Sequence, residues 1–76
     1  MAALAVLGAG SWGTALAAQA ARNGAATVLW GRDRDAIAAM AATHRNTRYL
    51  PDLPLPETLH FTADLAQAVG KADMLL

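Results

Sequence analysis

The sequence predicts an α/β fold, a doubly wound parallel sheet, and three observations carry that expectation. The continuously apolar run Ala3 to Leu7 passes through Gly8, Gly10 and Gly13 straight into alanine-rich, helix-favouring sequence. A second apolar run follows at Thr27 to Trp30, and strand-like stretches at Leu59 to Phe61 and Ala72 to Leu76, with helix-like sequence between them. The resulting alternation, β-α-β-α-β-α-β, is the order of parallel strands joined by right-handed crossover helices.

Each element has its own warrant. The first strand, Ala3 to Leu7, is apolar at every position, which suits a parallel strand covered on both faces. The first helix runs from about Ser11 to Arg22 and stops at Asn23-Gly24, where Gly24 suits the left-handed conformation that closes many helices. Trp12 and Leu16, four apart, share one of its faces. The second strand leads into the charged turn Gly31 to Asp35, and Asp33 or Asp35 caps a second helix reaching about Thr43, with Ile37, Met40 and Ala41 facing inward. From His44 to Pro56 the regular patterns lapse, and Pro51, Pro54 and Pro56 argue for a loop with at most a short extended piece. A third strand at Leu59 to Phe61, a short helix from Thr62 or Ala63 to about Val69, a break at Gly70 and a last strand complete the order. That last strand halts at Leu76, which reads as the N-terminal piece of a longer protein, cut inside its fourth strand.

Composition narrows the function. Seventy-six residues make one small domain at most. Zero formal net charge argues against an electrostatic nucleic-acid binder. The absence of cysteine excludes disulfides, thiolate metal sites and cysteine nucleophiles, and is compatible with the cytoplasm. The uncharged opening imitates a signal peptide, but no lysine or arginine precedes it, and Gly8, Gly10, Ser11, Gly13 and Thr14 interrupt the apolar segment. Neither a signal peptide nor a membrane span is expected.

The glycines carry the chemistry. A strand ending at Leu7 delivers the backbone to a tight turn at Gly8, Gly10 has no side chain to obstruct a pyrophosphate, and Gly13 lets the helix pack close to the strand. A helix starting near Ser11 aims unpaired N–H groups and the positive end of its dipole at the same place. The glycine spacing also occurs in turns that bind nothing, but the strand before it and the helix after it favour a dinucleotide phosphate. At the adenosine end two alignments compete. Counting gives Asp33, twenty residues beyond Gly13, as a ribose contact that favours NAD. Aligning on the end of the second strand gives Gly31 followed by Arg32, where Gly31 leaves space and Arg32 grips a 2′-phosphate or stacks on adenine. The second is preferred, so NADP(H) should be accepted, against the plainer reading of Arg32 as a solvated partner of Asp33 or Asp35. His44 and His60 lack metal-ligand spacing, Glu57 and Asp64 read as loop and helix-start residues, and Ser11 is placed for phosphate binding rather than attack. No metal site is expected.

The segments GAGSWGTALA (Gly8 to Ala17), VLWGRD (Val28 to Asp33) and HRNTRYLPDLPLPETL (His44 to Leu59) together resemble the N-terminal segment of the bacterial NAD(P)-dependent glycerol-3-phosphate dehydrogenases. The resemblance covers essentially the whole chain. It implies part of a Rossmann-type NAD(P)-binding domain, without the C-terminal substrate domain. It further implies hydride transfer between sn-glycerol 3-phosphate and dihydroxyacetone phosphate, feeding glycerophospholipid synthesis in the cytoplasm, with a homodimer among the parent's possible assemblies. By position it makes Ser11 and Trp12 the cofactor-contacting pair of the glycine turn and Arg32 the basic adenosine-side contact. Tyr49, in the N-x-x-Y-L-P loop, either lines the cofactor cleft or anchors that loop on the sheet. The family's catalytic lysine and substrate-phosphate groups belong beyond Leu76. Lys71, the only lysine here, sits at a predicted helix end, so no residue of this chain is expected to be catalytic. The competing readings are a dinucleotide-sensing regulatory module and a fragment with no autonomous activity.

Overall fold

The computed structural model describes residues 3–48, 50–70 and 72–76. Four of its strands form a parallel sheet in the order β5-β2-β1-β6. These are β1 (Ala3–Leu7), β2 (Ala26–Trp30), β5 (His60–Thr62) and β6 (Met74–Leu75). Strand β1 pairs with β2 from Ala3↔Ala26 to Leu7↔Trp30 and with β6 at Leu4↔Met74 and Ala5↔Leu75. Adjacent Ala5 and Val6, whose side chains point to opposite faces, are both buried, as a continuously apolar strand requires. The chain winds outward from β1 to β2 and β5, then returns across β1 to lay β6 on its far side. That reversal puts the switch point of the sheet beside β1, where ligand crevices open in doubly wound folds.

Helix α1 (Ser11–Arg22) turns Thr14, Ala17, Ala18 and Ala21 inward, spaced as one helical stripe. The stripe is made of small residues, so the helix lies close to the sheet, while Trp12 is 79% exposed. The helix closes as expected: Gly24 takes φ 90° and its N–H donates to the Ala21 carbonyl at 3.1 Å. Helix α2 (Arg34–Thr43) is capped by Asp33, whose Oδ1 accepts from the N–H groups of Asp35 and Ala36 at 3.0 and 3.2 Å. Ile37 and Met40 are buried, but Ala41 is exposed rather than inward. The apolar stripe runs through half-buried Ala36, Ile37, Met40 and half-buried His44, and Ala41 falls outside its arc.

The segment expected to be a loop contains β3 (Arg45–Asn46) and β4 (Leu50–Pro54), an antiparallel pair with a register shift between Arg45 and Asn46. A two-stranded ribbon leaves strand edges unpaired, so prolines without an N–H are tolerated there. The ribbon is fastened to the body of the domain. The Leu55 N–H donates to the His44 carbonyl at 2.8 Å, and an Arg22 guanidinium nitrogen donates to the Pro54 carbonyl at 3.0 Å. His44 itself adopts the left-handed region (φ 52°), with its ring edge-on to Phe61 at 5.5 Å. Leu55 and Leu59, from the proline-rich stretch, join Val6, Leu29, Ile37 and Met40 in the core.

Strand β5 begins one residue later than the expected third strand, because the Leu59 N–H still closes a turn onto the Pro56 carbonyl at 3.1 Å. Helix α3 (Leu65–Gly70) likewise starts later than Thr62 or Ala63. Thr62 pairs with Trp30 in the sheet, and Asp64 Oδ1 accepts from the Gln67 N–H at 3.2 Å, so Asp64 is the helix-start residue. Strand β6 is shorter than the expected strand from Ala72 to Leu76, but that stretch is tied to β1 at both ends. Asp73 N–H donates to the Ala3 carbonyl at 2.8 Å, and Leu7 N–H to the Leu76 carbonyl at 2.7 Å. Lys71 lies outside the described residues.

Candidate functional site

The three glycines after β1 perform three different tasks. Gly8 has φ +130°, a conformation that L side chains rarely adopt, and its N–H donates to the Trp30 carbonyl at 2.9 Å, tying the turn to the end of β2. Gly13 faces the turn from inside α1. A Cβ there would overlap the Gly8 carbonyl oxygen and stand 3.2 Å from the Gly8 carbonyl carbon and 3.6 Å from Val6 Cγ1. Gly10 is different again, because among the described residues a Cβ on it would meet no atom within 4 Å beyond its own chain neighbours. Its missing side chain serves no internal packing and leaves space outside the turn.

Helix α1 begins at that space without a cap of its own. Gly10 is the N-cap, the first turn holds no acidic residue, and among the described residues no side chain caps its free N–H groups. The Thr14 N–H donates to the Gly10 carbonyl at 3.0 Å, so the N–H groups of Ser11, Trp12 and Gly13 precede the first helical bond. Helix α2, by contrast, is closed by the Asp33 carboxylate. Partial positive charge therefore collects at the start of α1, the arrangement that receives phosphates and carboxylates. Ser11 and Trp12 sit exposed on this first turn.

A cleft of ≈ 670 Å³ opens at the carboxyl ends of β1 and β2 and takes in two of the expected contacts, Gly8 and Arg32. Among the described residues its charged lining is Arg32, Arg45 and Arg48 against the single carboxylate of Asp33, an excess of positive charge suited to an anionic ligand. Arg45 and Arg48 were not marked by the sequence patterns, because the run containing them has no periodicity. Among the described residues Arg32 forms no ion pair with Asp33 or Asp35, and Asp33 is engaged in capping α2. Gly31 differs from expectation. It is buried, and a Cβ there would lie 2.7 Å from Ile37 Cδ1 and 3.1 Å from Ala9 Cβ, so its missing side chain makes room for the core rather than for a ligand. Tyr49 lies outside the described residues. His60 is exposed on β5, and no group of three or more His, Cys, Asp or Glu is assembled for a metal among the described residues.

One polar contact at the turn is announced by no motif in the sequence. Asn46, on β3 and only 3% exposed, donates through Nδ2 to the Ala9 carbonyl at 3.0 Å and to Thr14 Oγ1 at 2.8 Å. Thr14 is wholly buried on the inner face of α1. A polar residue on a buried helical stripe needs a partner, and that was the one available signal; its position in the sequence does not say that the partner is 32 residues away.

Comparison with known proteins adds the following. The family described as NAD-dependent glycerol-3-phosphate dehydrogenase N-terminus matches residues 3–76. A glycerol-3-phosphate dehydrogenase (NAD(P)+) of Stenotrophomonas maltophilia is 58% identical over 73 residues, covering 96% of this chain and 21% of that protein. The chain thus spans about a fifth of the length of such relatives. A crystal structure of glycerol-3-phosphate dehydrogenase from Coxiella burnetii superposes with a TM-score of 0.90 at 43% identity, over 97% of this chain and 23% of that one. The glycerol-3-phosphate dehydrogenase of Saccharomyces cerevisiae gives a TM-score of 0.85 at 26% identity, over 96% and 24%.

Proposed function

The chain belongs to the NAD-dependent glycerol-3-phosphate dehydrogenase N-terminus family, and from that premise we propose that it is the cofactor-binding portion of an sn-glycerol-3-phosphate dehydrogenase that uses NADP(H) or NAD(H). The observation that carries this reading is the uncapped start of α1 beside a glycine turn with open space at Gly10. The chain's own groups suit a dinucleotide. Gly8, Gly10 and Gly13 shape the turn, the N–H groups at the head of α1 and the Ser11 hydroxyl receive the diphosphate, and Trp12 covers it. Arg32 takes the adenosine side, by a 2′-phosphate or by stacking on adenine. Tyr49 is included as a contact on the strength of the family resemblance.

Bound there, the cofactor supplies or takes up the hydride exchanged between glycerol 3-phosphate and dihydroxyacetone phosphate. The residues of this chain hold and orient it, and none is assigned a catalytic role. Groups that manage the substrate's oxygen and proton are sought beyond Leu76. The proposal extends to a role in glycerophospholipid synthesis, a cytoplasmic setting and a homodimeric parent. No helix among the described residues is long and apolar enough to cross a membrane.

The test is a titration of the intact protein with NADPH and NADH, combined with an assay of dihydroxyacetone phosphate reduction. Saturable binding with turnover is expected, whereas the 76-residue segment alone should show at best weak binding and no turnover. Binding without turnover by the intact protein would replace the enzyme by a dinucleotide sensor, and absence of both would overturn the proposal.

A further inference from the structure

We propose that Asn46 is the positioning residue of the dinucleotide turn, fixing the Ala9–Gly10 peptide so that the Gly10 N–H faces the bound diphosphate. The assignment rests on the nucleotide reading above. It starts from peptide geometry: among the described residues no peptide bond is cis, and in a trans peptide the carbonyl and the following N–H point in opposite directions. Whatever holds the Ala9 carbonyl therefore aims the Gly10 N–H. Asn46 Nδ2 holds it, at 3.0 Å, from the side where β3 lies.

The turn needs such a constraint. The Ala9–Gly10 peptide turns on ψ of Ala9 and φ of Gly10, and a glycine on one side gives a peptide plane its greatest freedom to rotate. A rotation of that plane would present the Ala9 carbonyl oxygen, instead of an N–H, to an approaching anion. Asn46 opposes it from a fixed position. The second Nδ2 proton goes to Thr14 Oγ1 at 2.8 Å, inside the first turn of α1, so a single amide nitrogen bridges the turn to the helix whose N–H groups complete the site. The ribbon carrying Asn46 is itself fastened through the Leu55 to His44 bond and the Arg22 to Pro54 bond.

The experiment uses the full-length protein at pH 8 and compares wild type with Asn46→Asp and Asn46→Ala. Asn46→Asp preserves size but puts an acceptor oxygen in place of the donor facing the Ala9 carbonyl, while the Thr14 hydroxyl can turn to donate to it. Asn46→Ala removes the clamp without adding charge. Affinities are measured for ADP, which carries the diphosphate, and for adenosine, which does not, with thermal unfolding recorded for each protein. In Asn46→Asp the ADP affinity should fall by about tenfold or more. Adenosine affinity should stay within about twofold. Asn46→Ala should show a smaller loss with the same selectivity. Undiminished ADP affinity in either folded variant overturns the assignment. So does equal loss of both ligands, or failure of both variants to fold, since Asn46 is then only structural. If wild type binds none of NADPH, NADH and ADP, the nucleotide reading itself is withdrawn and the assignment goes with it.

Discussion

Gly10→Ala and Gly13→Ala, three residues apart in one motif, should fail in opposite ways. At Gly13 the added methyl runs into the Gly8 carbonyl, a backbone atom that cannot rotate aside, with Val6 Cγ1 behind it. Relief requires α1 to withdraw from β1, loosening the contacts of Thr14, Ala17, Ala18 and Ala21. Overpacking of this kind costs about 3 kcal/mol at the upper end of its usual range. Alanine's helix preference over glycine returns at most about 1 kcal/mol, leaving a net loss of about 2 kcal/mol. At Gly10 the backbone (φ −73°, ψ −175°) is open to any residue, and the new methyl meets nothing. The only cost is a slightly poorer N-cap, about 0.5 kcal/mol. That methyl instead occupies the space proposed for the diphosphate, and NADPH affinity should fall by about tenfold or more. Urea unfolding midpoints and NADPH titrations of both variants in the intact protein read the two quantities. The reasoning is refuted if Gly13→Ala is as stable as wild type, or if Gly10→Ala loses stability while still binding NADPH normally.

Gly31→Ala should cost about 1 kcal/mol, less than Gly13→Ala, because its nearest neighbour is the movable Cδ1 of Ile37. Combining it with Ile37→Val, which deletes that atom, should recover part of the loss, and a double-mutant cycle with no coupling would contradict the assigned contact. Arg32→Ala should weaken NADPH more than NADH, by about tenfold for the former, and an equal effect on both would count against a 2′-phosphate contact. Asp33→Ala should lose about 1 kcal/mol through the uncapped α2, while Asp33→Asn keeps most of the stability. A large drop in NADH affinity in stable Asp33→Asn would instead make Asp33 the ribose reader.

Where a local pattern determines structure, the sequence was legible. The limits of β1 and α1 follow from an apolar run, a glycine turn and the Asn23-Gly24 stop, all within one short stretch. The cap of α2 is equally local, although the pattern leaves Asp33 and Asp35 both open, and α3 takes in Gly70 as its last residue instead of stopping before it. What escaped depends on distant partners. The β3–β4 ribbon has no amphipathic signature and draws its order from bonds to Arg22 and to the turn. Ala41 faces out because the direction of the buried stripe on α2 is set by what packs against it, which the helix's own sequence does not specify. Gly31 at the strand end suggests space for a ligand, whereas Ile37, six residues on, fills it. Of the residues lining the cleft, Gly8 and Arg32 were legible from motif and strand end. Arg45, Arg48 and Asn46 were not, because they reach the cleft from a segment without periodicity.

The central place of β1 has a consequence for biosynthesis. It is translated ahead of both its neighbours, yet one of these comes from Ala26–Trp30 and the other from Met74–Leu75, and the amide of Leu7, just ahead of the glycine turn, is satisfied by the carbonyl of Leu76. Pairings between such remote partners form slowly. A nascent chain emerging from the ribosome can therefore wind α1 early but cannot secure the base of the turn until residue 76 has been made, so the part of the site encoded earliest is among the last to mature.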